Sequence, residues 1–324
     1  MRILTRTDLE ALLPPRDVIA AVERAFRECA AGRVASLPRV TLPMARHDVF
    51  LAMVSSLPGL GALGTKLVTV VDGNRARGLP IIQAVYVLAD PETGTPLALM
   101  EAGFLTAVRT GATSAVAARH LARPDSRVIA CFGAGVQARH QLLGLREVLP
   151  LAEVRVVGRD PRRAAGFVRD MRNTLGIPVD LAADPRAAVR GADVVTCATT
   201  ASRPVFRGRD LELGAHVDAV GNFRRAWREL DTITIRKSRV VVDTYEGAWE
   251  EAGDLLIPIK AGSISRRHVR AELAEVVAGS RPGRTSATEI TLFKSVGFAP
   301  EDAVTARLAY DRAVAGGRGT EVRL

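Results

Sequence analysis

The sequence contains little cysteine, few aromatic residues and no long uncharged apolar run. Aromatic residues make up 4% of the 324 residues, and the three cysteines stand alone, at Cys29, Cys131 and Cys197. An odd number of lone cysteines excludes a disulfide-stapled domain and indicates free thiols in a reducing cytoplasm. The longest apolar stretch, residues 97–108, contains Glu101, so it is shorter than the roughly 18 uncharged residues of a membrane helix. Asp8 and Glu10 interrupt the N-terminal region, so no signal peptide is expected there.

Lysine is scarce as well. The 45 basic residues give a net charge of +10, yet they include only four lysines, at positions 66, 237, 260 and 294. The arginines are spread over the whole chain among acidic residues, with no basic stripe and no interleaved aromatic residues, so we expect no nucleic-acid partner. A GC-rich genome explains the arginine bias. Because arginine is the usual cation of this chain, each of the few lysines suggests a position where the ammonium group is needed and a guanidinium would not serve.

The first part of the chain is predicted to be a mainly antiparallel α+β domain. Residues 7–31 have a helical apolar stripe that is broken at Pro14-Pro15, and residues 104–121 form a helix rich in small residues. Between these helices lie strand-like segments, the last two joined by a turn, at 63–71, 80–89 and 96–100.

Short apolar strands then alternate with helical segments. The predicted strands are 127–132, 153–157, 179–181, 194–198, 216–220 and 239–242. Such alternation is typical of an α/β fold with a doubly wound parallel sheet of the Rossmann type. A last helix, 300–314, is expected to pack back on the first domain. The predicted domains are therefore 1–118 with 300–324, for substrate binding and dimerisation, and 119–299, for NAD(P).

A glycine-rich turn between the first strand and helix of the second domain matches a dinucleotide fingerprint, Gly133-x-Gly135-x-x-Ala138. Gly133 permits the tight turn, Gly135 lets a pyrophosphate approach the backbone, and Ala138 keeps the helix close to the strand. The helix N-terminus offers free N–H groups and a partial positive charge to the phosphates. We therefore expect a nicotinamide dinucleotide here.

The end of the second strand distinguishes NAD from NADP. An NAD site usually has an acidic residue there for the ribose hydroxyls, but here Gly158 leaves space and Arg159 can bond to a 2′-phosphate. Asp160 could instead turn inward to the ribose, and Arg162 and Arg163 are expected on a solvated helix face. The pattern favours NADP over NAD.

Three cations lie in apolar surroundings in the first domain. Lys66 is in a strand with two apolar faces, Arg109 is inside the small-residue helix, and Arg39 is in a mostly apolar stretch. Burying an unpaired charge is costly, so each must reach solvent or meet an anion. Either the three hold a substrate carboxylate, or each pairs with a protein carboxylate such as Asp72 or Glu101.

In six blocks, the chain resembles the ornithine cyclodeaminase/mu-crystallin family over essentially its whole length. The blocks are 64–68 (GTKLV), 108–115 (VRTGATSA), 133–138 (GAGVQA), 227–231 (WRELD), 252–255 (AGDL) and 293–297 (FKSVG). The resemblance implies homodimers, with the substrate site and the dimer contact in the first domain and NAD(P) in a Rossmann domain. Members include cyclodeaminases, alanine dehydrogenases, ketimine reductases and NADP-binding crystallins.

The resemblance and the fingerprint together imply roles for particular positions. Lys66 is the predicted catalytic residue, and substrate contacts are expected from Arg39, Lys66, Arg109, Phe223 and Val296. Cofactor contacts are expected from Gln83, Arg109, Thr110, Gly133, Gly135, Val136, Gln137, Gly158, Arg159, Thr199, Ser202, Gly221 and Ser295.

Phe223 departs from the cyclodeaminase pattern. Cyclodeaminases and archaeal alanine dehydrogenases have an acidic residue at this position, whereas mu-crystallin, a ketimine reductase, lacks it. We therefore predict NADPH-dependent reduction of a cyclic imino acid, Δ1-pyrroline-2-carboxylate or Δ1-piperideine-2-carboxylate, to proline or pipecolate. The cations would hold the carboxylate for hydride transfer, with Lys66 or water as the proton donor.

Two other functions stay open. One is an amino-acid (alanine) dehydrogenase or ornithine cyclodeaminase whose acid is displaced to Glu246 or Glu250. The other is a non-catalytic, crystallin-like protein that binds NADP. The five histidines lack metal-ligand spacing, so no metal is expected; they are His47, His120, His140, His216 and His268.

Overall fold

A computed structural model describes residues 1–45 and 48–323, apart from the side chain of Arg75. His47, one of the histidines considered above, lies outside the described residues. The chain forms two compact units, Met1–Arg109 with Phe298–Leu324, and Thr110–Gly297. The division falls inside a helix, between residues 109 and 110, whereas the sequence prediction placed it between 118 and 119.

Helices and strands are numbered along the chain. The α-helices are α1 (Arg6–Leu12), α2 (Pro15–Ala30), α3 (Ala102–Leu121), α4 (Val136–Arg146), α5 (Pro161–Leu175), α6 (Pro185–Val189), α7 (Thr232–Lys237), α8 (Tyr245–Glu251), α9 (Gly253–Lys260), α10 (Leu273–Val277) and α11 (Ala299–Ala315). The strands are β1 (Arg2–Leu4), β2 (Ala35–Ser36), β3 (Val40–Pro43), β4 (Val49–Leu57), β5 (Ala62–Val70), β6 (Ile82–Ala89), β7 (Pro96–Glu101), β8 (Val128–Phe132), β9 (Glu153–Val157), β10 (Val179–Leu181), β11 (Val194–Cys197), β12 (His216–Ala219), β13 (Ser238–Val242), β14 (Val269–Glu272), β15 (Ile290–Lys294) and β16 (Thr320–Glu321).

Caps and prolines set the first two helices. Thr5 and Asp8 form a capping box at the start of α1, in which each side chain accepts from the other residue's backbone N–H. Pro14 precedes α2 and Pro15 is its first residue, a position where the missing N–H of proline costs nothing. The predicted break at this proline pair is therefore confirmed, and the apolar stripe of α2 is buried.

The first unit is built on a sheet of order β16-β1-β7-β6-β5-β4-β2, in which β3 also pairs with β4. Its described strand pairs are antiparallel apart from β1 with β7, which confirms the predicted mainly antiparallel domain. Alternate side chains face opposite sides of a sheet, so Met53, Lys66 and Tyr86 lie side by side on the buried face. Helix α11 packs against α2, β4 and β5, so the last helix joins the first unit as expected.

The second unit contains a parallel sheet of order β10-β9-β8-β11-β12-β15-β13-β14. This confirms the predicted doubly wound α/β fold. Alternate residues of β8 enter two different apolar clusters, one containing Phe132 and Phe206 and the other containing Cys131 and Leu142. The sequence analysis missed β14 and β15, and β15 is inserted between β12 and β13.

Among the residues that the structure describes, no helix is both long and apolar enough to cross a membrane. The three cysteines form no disulfide with one another, and Cys131 and Cys197 are buried. Burial raises the pKa of the Cys131 thiol to about 12, so this thiol is unreactive at neutral pH.

Candidate functional site

The turn from β8 into α4 requires glycine at its first position and leaves space at its third. Gly133 has φ of +116°, and a Cβ on it would lie 2.5 Å from the carbonyl oxygen of Ala198. Both the conformation and the space therefore favour glycine. Gly135 has an ordinary φ of −118°, and no atom lies within 4 Å of the position that its Cβ would take. This opening lets a ligand approach the backbone.

The beginning of α4 is suited to an anion. The first N–H groups of a helix have no partner within the helix, and the helix dipole favours negative charge beside them. Val136, the first residue of α4, is 55% exposed. Gln137 Oε1 is buried and has no hydrogen-bond partner among the described residues. Ala138 is buried against the sheet, as the fingerprint predicts.

The end of β9 differs from the sequence interpretation in one respect. A Cβ on Gly158 would lie 2.7 Å from the Cβ of Ala164, so Gly158 permits close strand–helix packing and does not leave space for a phosphate. Asp160 caps α5, because its Oδ1 accepts from the N–H of Arg163.

Three arginines follow this strand end in the sequence, at Arg159 and in the first turn of α5. Arg159, Arg162 and Arg163 are exposed, and none of their side chains has an ion pair with another described residue. Arginine carries a fixed charge and a fork of donors that suits phosphate. This edge of the second unit can therefore hold a phosphate group, and Arg159 is the first of the three to follow the strand.

Glu229, to which the sequence analysis gave no role, ties together the ends of β11 and β12. Its Oε1 accepts from the N–H and the hydroxyl of Thr199, each over 2.7 Å, and its Oε2 accepts from the N–H of Gly221 over 2.8 Å. Ser202 is exposed, and Phe223 is half-buried against the apolar cluster that contains Phe132. Thr199 and Gly221 are thus brought together, whereas Ser202 is not part of this contact.

Asp243 fixes the turn after β15. Its Oδ2 accepts from the hydroxyl of Ser295 over 2.9 Å and from the N–H groups of Val296 and Gly297 over 2.7 Å each. The side chains of Ser295 and Val296 are buried. The predicted contacts of these two residues with cofactor and substrate stay predictions, and the structure shows how the backbone that would make them is held.

Close helix packing explains the small residues of α3. A Cβ on Gly111 would lie 2.2 Å from the carbonyl oxygen of His140, and one on Gly144 would lie 2.4 Å from that of Gly111. Helices α3 and α4 therefore contact each other backbone to backbone. Thr110, a predicted cofactor contact, is buried here, and its carbonyl accepts from Gln141 Nε2.

In the first unit, Lys66 and Arg109 form a buried cluster with two carboxylates of α11. Lys66 Nζ lies 2.7 Å from Asp302 Oδ2, and Arg109 Nε lies 2.9 Å from Asp302 Oδ1. Arg109 Nη1 also lies 2.6 Å from Glu301 Oε2. These four residues are all buried. The structure thus brings the two cations together, and it pairs both of them with the protein's own carboxylates.

This pairing corrects the sequence interpretation. Pairing with a protein carboxylate was one of the two alternatives, and the structure gives Lys66 and Arg109 the partners Asp302 and Glu301 in place of the suggested Asp72 or Glu101. Glu101 accepts from the N–H groups of Gly103 and Phe104 and so caps α3, and Asp72 is exposed. Only the fold brings α11, almost two hundred residues after Arg109, onto the same cluster.

The charge environment of Lys66 is unusual. The pKa of the Lys66 ammonium is lowered to about 8, chiefly by burial and also by the positive charges of Arg109 and Arg39, while Asp302 opposes the shift. Arg39, which immediately precedes β3, is therefore close enough to act on Lys66. Burial also raises the pKa of Tyr86, the cross-strand neighbour of Lys66, well above its usual value. Tyr86 Oη is buried and has no hydrogen-bond partner among the described residues.

Gln83 lies apart from this cluster. It pairs with Thr69 on β5, three residues from Lys66, and an odd separation along a strand places side chains on opposite faces. Its side chain is exposed. The contact of Gln83 with a cofactor stays a prediction.

Sequence reasoning missed the acidic members of both sites. Glu301 and Asp302 were predicted only as part of a helix, although two adjacent acids in a helix rich in alanine and valine are a signal of buried pairing. Glu229, Asp254 and Lys294 stood in the blocks that carry the family resemblance, without a role. Among the described residues, no group of three or more His, Cys, Asp or Glu is placed to hold a metal ion.

A parallel doubly wound sheet with this fingerprint, together with a separate antiparallel unit, defines a two-unit protein of the Rossmann class. The family model for the ornithine cyclodeaminase/mu-crystallin family matches residues 1–317, and the chain belongs to this family. The family prediction from the sequence is therefore confirmed.

Individual relatives match over almost the whole chain. A Delta(1)-pyrroline-2-carboxylate reductase of Bacillus cereus is 37% identical over 324 residues, which cover 99% of each chain. The solved structure of Thermococcus litoralis Delta(1)-pyrroline-2-carboxylate reductase, in complex with NADH and L-proline, is 45% identical with a TM-score of 0.97, covering 99% of this chain and 100% of that one. An archaeal alanine dehydrogenase dimer with bound NAD is 35% identical with a TM-score of 0.94, covering 100% of this chain and 99% of that one.

Proposed function

We propose that the protein catalyses NADPH-dependent reduction of a cyclic ketimine carboxylate, Δ1-pyrroline-2-carboxylate or Δ1-piperideine-2-carboxylate, to L-proline or L-pipecolate. At the level of enzyme class, an oxidoreductase of the imine reductase kind, the sequence prediction is confirmed by the relatives. The substrate, its ring size and the preference for NADPH are the proposal. It assigns the substrate to the unit that contains Lys66 and the dinucleotide to the unit that contains Gly133.

The buried ammonium of Lys66 carries the proposal. An ammonium group has three donors, and that of Lys66 makes one hydrogen bond, to Asp302, with no other partner among the described residues. Arg109 and Arg39 add positive charge around it. A substrate carboxylate would accept the remaining donors and offset this repulsion, and the hydroxyl of Tyr86 is a further candidate donor beside Lys66.

The residues of the second unit fit a nicotinamide dinucleotide. The open space at Gly135 and the unpaired N–H groups at the start of α4 suit the pyrophosphate. The preference for NADPH is supported by Arg159, exposed beside the end of β9, and by the engagement of Asp160 with its helix. The structure of the Thermococcus litoralis relative contains NADH, so Arg159 of this chain is the specific support for a 2′-phosphate.

The chemistry requires a hydride, a proton and a fixed carboxylate. When bound, the dinucleotide supplies the hydride that the imine carbon receives. The imine nitrogen gains a proton as the C=N bond becomes CH–NH, and Lys66, whose pKa of about 8 makes it a stronger acid than an ordinary lysine, donates that proton. Asp302 holds the Lys66 ammonium in place, and solvent restores its proton after each turnover.

Phe223 favours imine reduction over cyclodeamination. It is half-buried against apolar residues, and it has no group that could accept a proton from an amino substituent. An apolar side chain suits the methylenes of a five- or six-membered ring. Glu246, one of the two acids considered as a displaced replacement, is exposed on α8, as is Glu250.

We also propose a homodimer formed through the first unit. Val40, Leu42 and Val85 are exposed on one face of the sheet, the face opposite Lys66. An exposed apolar face on a sheet is typical of an interface. The archaeal alanine dehydrogenase relative is a dimer.

One panel of assays tests the function. NADPH or NADH oxidation is followed by absorbance with each of the two cyclic imines, and in parallel with pyruvate and ammonia. Ammonia release from ornithine is measured separately. The proposal expects rapid oxidation of NADPH with a cyclic imine, formation of the L-amino acid and slower turnover with NADH. Oxidation with pyruvate and ammonia alone would identify an alanine dehydrogenase, ammonia release from ornithine a cyclodeaminase, and binding without turnover a crystallin-like protein.

A further inference from the structure

The carboxylate of Glu229 accepts three hydrogen bonds from two different strand ends. The donors are the N–H and hydroxyl of Thr199, two residues beyond β11, and the N–H of Gly221, two residues beyond β12. The approach is so close that a Cβ on Gly221 would lie 2.2 Å from the Thr199 nitrogen and 2.5 Å from Glu229 Oε1. Glu229 thus joins two loops that are also linked by a hydrogen bond from Asn222 Nδ2 to the carbonyl oxygen of Ala201, over 2.9 Å.

Two further ionised residues complete this network. Asp254, on α9, accepts from the N–H groups of Glu229 and Leu230 over 2.8 and 2.9 Å. Lys294, at the end of β15, lies 3.0 Å from Asp254 and donates to the carbonyl oxygen of Asn222 over 2.6 Å. The side chains of Glu229, Asp254 and Lys294 are all completely buried. The network therefore fixes residues 221 and 222 from both sides.

The network lies at the edge of the sheet where a ligand binds. Strands β11, β12 and β15 are parallel neighbours, and ligands of open α/β sheets bind outside the carboxyl ends of the strands. The buried charges do not themselves need to touch a ligand. They determine where the backbone of Thr199 and Gly221 stands at that edge.

We propose that Glu229 is a positioning residue, whose carboxylate holds Thr199 and Gly221 at the spacing that binds the dinucleotide. This inference rests on the proposed function, because it takes these two residues as cofactor contacts. Protonation of Glu229 would replace one acceptor with a donor, so that either the Thr199 N–H loses its acceptor or the Gly221 N–H is left with the Cys197 carbonyl alone. Dinucleotide affinity should therefore depend on the charge of a residue that the dinucleotide does not touch.

The groups around Glu229 place its protonation near neutral pH. The pKa of the Glu229 carboxyl is raised to about 7, chiefly by burial and also by the negative charge of Asp254. The positive charge of Lys294 and the hydrogen bonds from Thr199 oppose this shift. The groups that face Glu229 are Lys294 from β15, Asp254 from α9 and the buried thiol of Cys197 from β11. The carboxylate is thus ionised above about pH 7 and loses its charge below it.

The first test measures dinucleotide affinity without catalysis. Fluorescence titration with NADPH, and with NADH because it lacks the titrating 2′-phosphate, gives the dissociation constant from about pH 6 to about pH 9. We expect the wild-type Kd for both dinucleotides to rise up to about tenfold for each pH unit below 7. Glu229→Gln should bind at least about tenfold more weakly at pH 8 and should lose the pH dependence. Glu147→Gln, the same substitution at an exposed position of the same unit, should bind as wild type.

A second measurement needs no variant. Binding that favours the ionised carboxylate must release protons in the wild-type protein. Calorimetric titration with NADH near pH 6.5, in two buffers of different ionisation enthalpy, should show release of a substantial fraction of one proton, and release should vanish at pH 9. Absence of proton release with NADH overturns the inference, as does a Glu229→Gln protein that binds as wild type.

The outcomes also separate this inference from the proposed function. If the wild-type protein reduces a cyclic imine but its dinucleotide affinity is insensitive to Glu229, the positioning role is wrong and the function stands. If dinucleotide binding depends on Glu229 while neither cyclic imine is reduced, the positioning role stands and the proposed substrate is wrong.

Discussion

Lys66 donates a hydrogen bond to Asp302 over 2.7 Å although the two residues are 236 positions apart in the sequence. Both side chains are buried, and Asp302 binds Arg109 with its other oxygen. One carboxylate thus orients two cations of the first unit. The C-terminal helix α11 is therefore a part of the candidate substrate site as well as a part of the core.

Asp302→Asn should shift the pH dependence of catalysis. Lys66 must be protonated to donate a proton, so kcat/KM should fall as pH rises through about 8, the pKa of the Lys66 ammonium. Asp302 raises that pKa. Its neutralisation should therefore move the alkaline limb of the pH–kcat/KM profile to lower pH, by about one unit.

Glu301→Gln is the matched control, because Glu301 pairs with Arg109 and is the neighbour of Asp302 on α11. It should move the alkaline limb less than Asp302→Asn does. Removal of one partner from a buried pair can cost about 3–5 kcal/mol of stability, so both variants are compared below their thermal midpoints. An unchanged alkaline limb in Asp302→Asn would contradict the assignment of Lys66 as the proton donor.

Lys66→Met should lower kcat with a cyclic imine by about 10²- to 10⁴-fold, the usual effect of losing a positioned acid. The substitution keeps the length and apolar stem of the side chain but removes the ammonium. Lys260→Met is the control, since Lys260 is exposed at the end of α9, and steady-state kinetics should show no loss in this variant. Comparable losses in the two variants would remove Lys66 from the mechanism.

Arg159→Ser should weaken NADPH relative to NADH. A charge-assisted hydrogen bond contributes about 1.5–3 kcal/mol, so KM for NADPH should rise about 10- to 100-fold, with little change for NADH. Arg169→Ser, on the exposed side of α5, should leave both values unchanged. The measurement is the ratio of kcat/KM for the two dinucleotides. A ratio that stays constant in Arg159→Ser would mean that this arginine does not bind the 2′-phosphate.

Gly135→Ala should abolish dinucleotide binding without unfolding the protein. Gly135 has an ordinary φ and nothing near its missing Cβ, so the substitution creates neither strain nor a clash in the protein itself. The added methyl would instead occupy the space that the pyrophosphate needs. Thermal denaturation should give a midpoint close to wild type, while NADPH titration should show little binding.

Gly166→Ala provides the comparison for that variant. Gly166 lies inside α5 with nothing within 4 Å of its Cβ position, so alanine should raise the stability by up to about 1 kcal/mol and leave NADPH binding intact. Tight NADPH binding by Gly135→Ala would show that the dinucleotide does not pass this turn.

Local signals accounted for most of the fold. The proline break between α1 and α2, the small-residue helix α3 and the glycine turn at Gly133 each depend on neighbours in sequence, so they could be read from it. The short edge strands and β14 and β15 could not. Their residues are few, and the position of β15 between β12 and β13 depends on strands that are distant in the chain.

The sequence by itself determined the family and the fold class, and it predicted the key cations. The glycine fingerprint and the rare lysines in apolar stretches can be recognised from the local sequence alone. The tertiary structure decided which charges meet. Two of the four lysines, Lys66 and Lys294, are buried against Asp302 and Asp254, residues that are distant in the chain. Burial removes water from a charge, and this is costly unless an opposite charge lies beside it. Only the folded chain can bring the compensating carboxylate to the buried lysine.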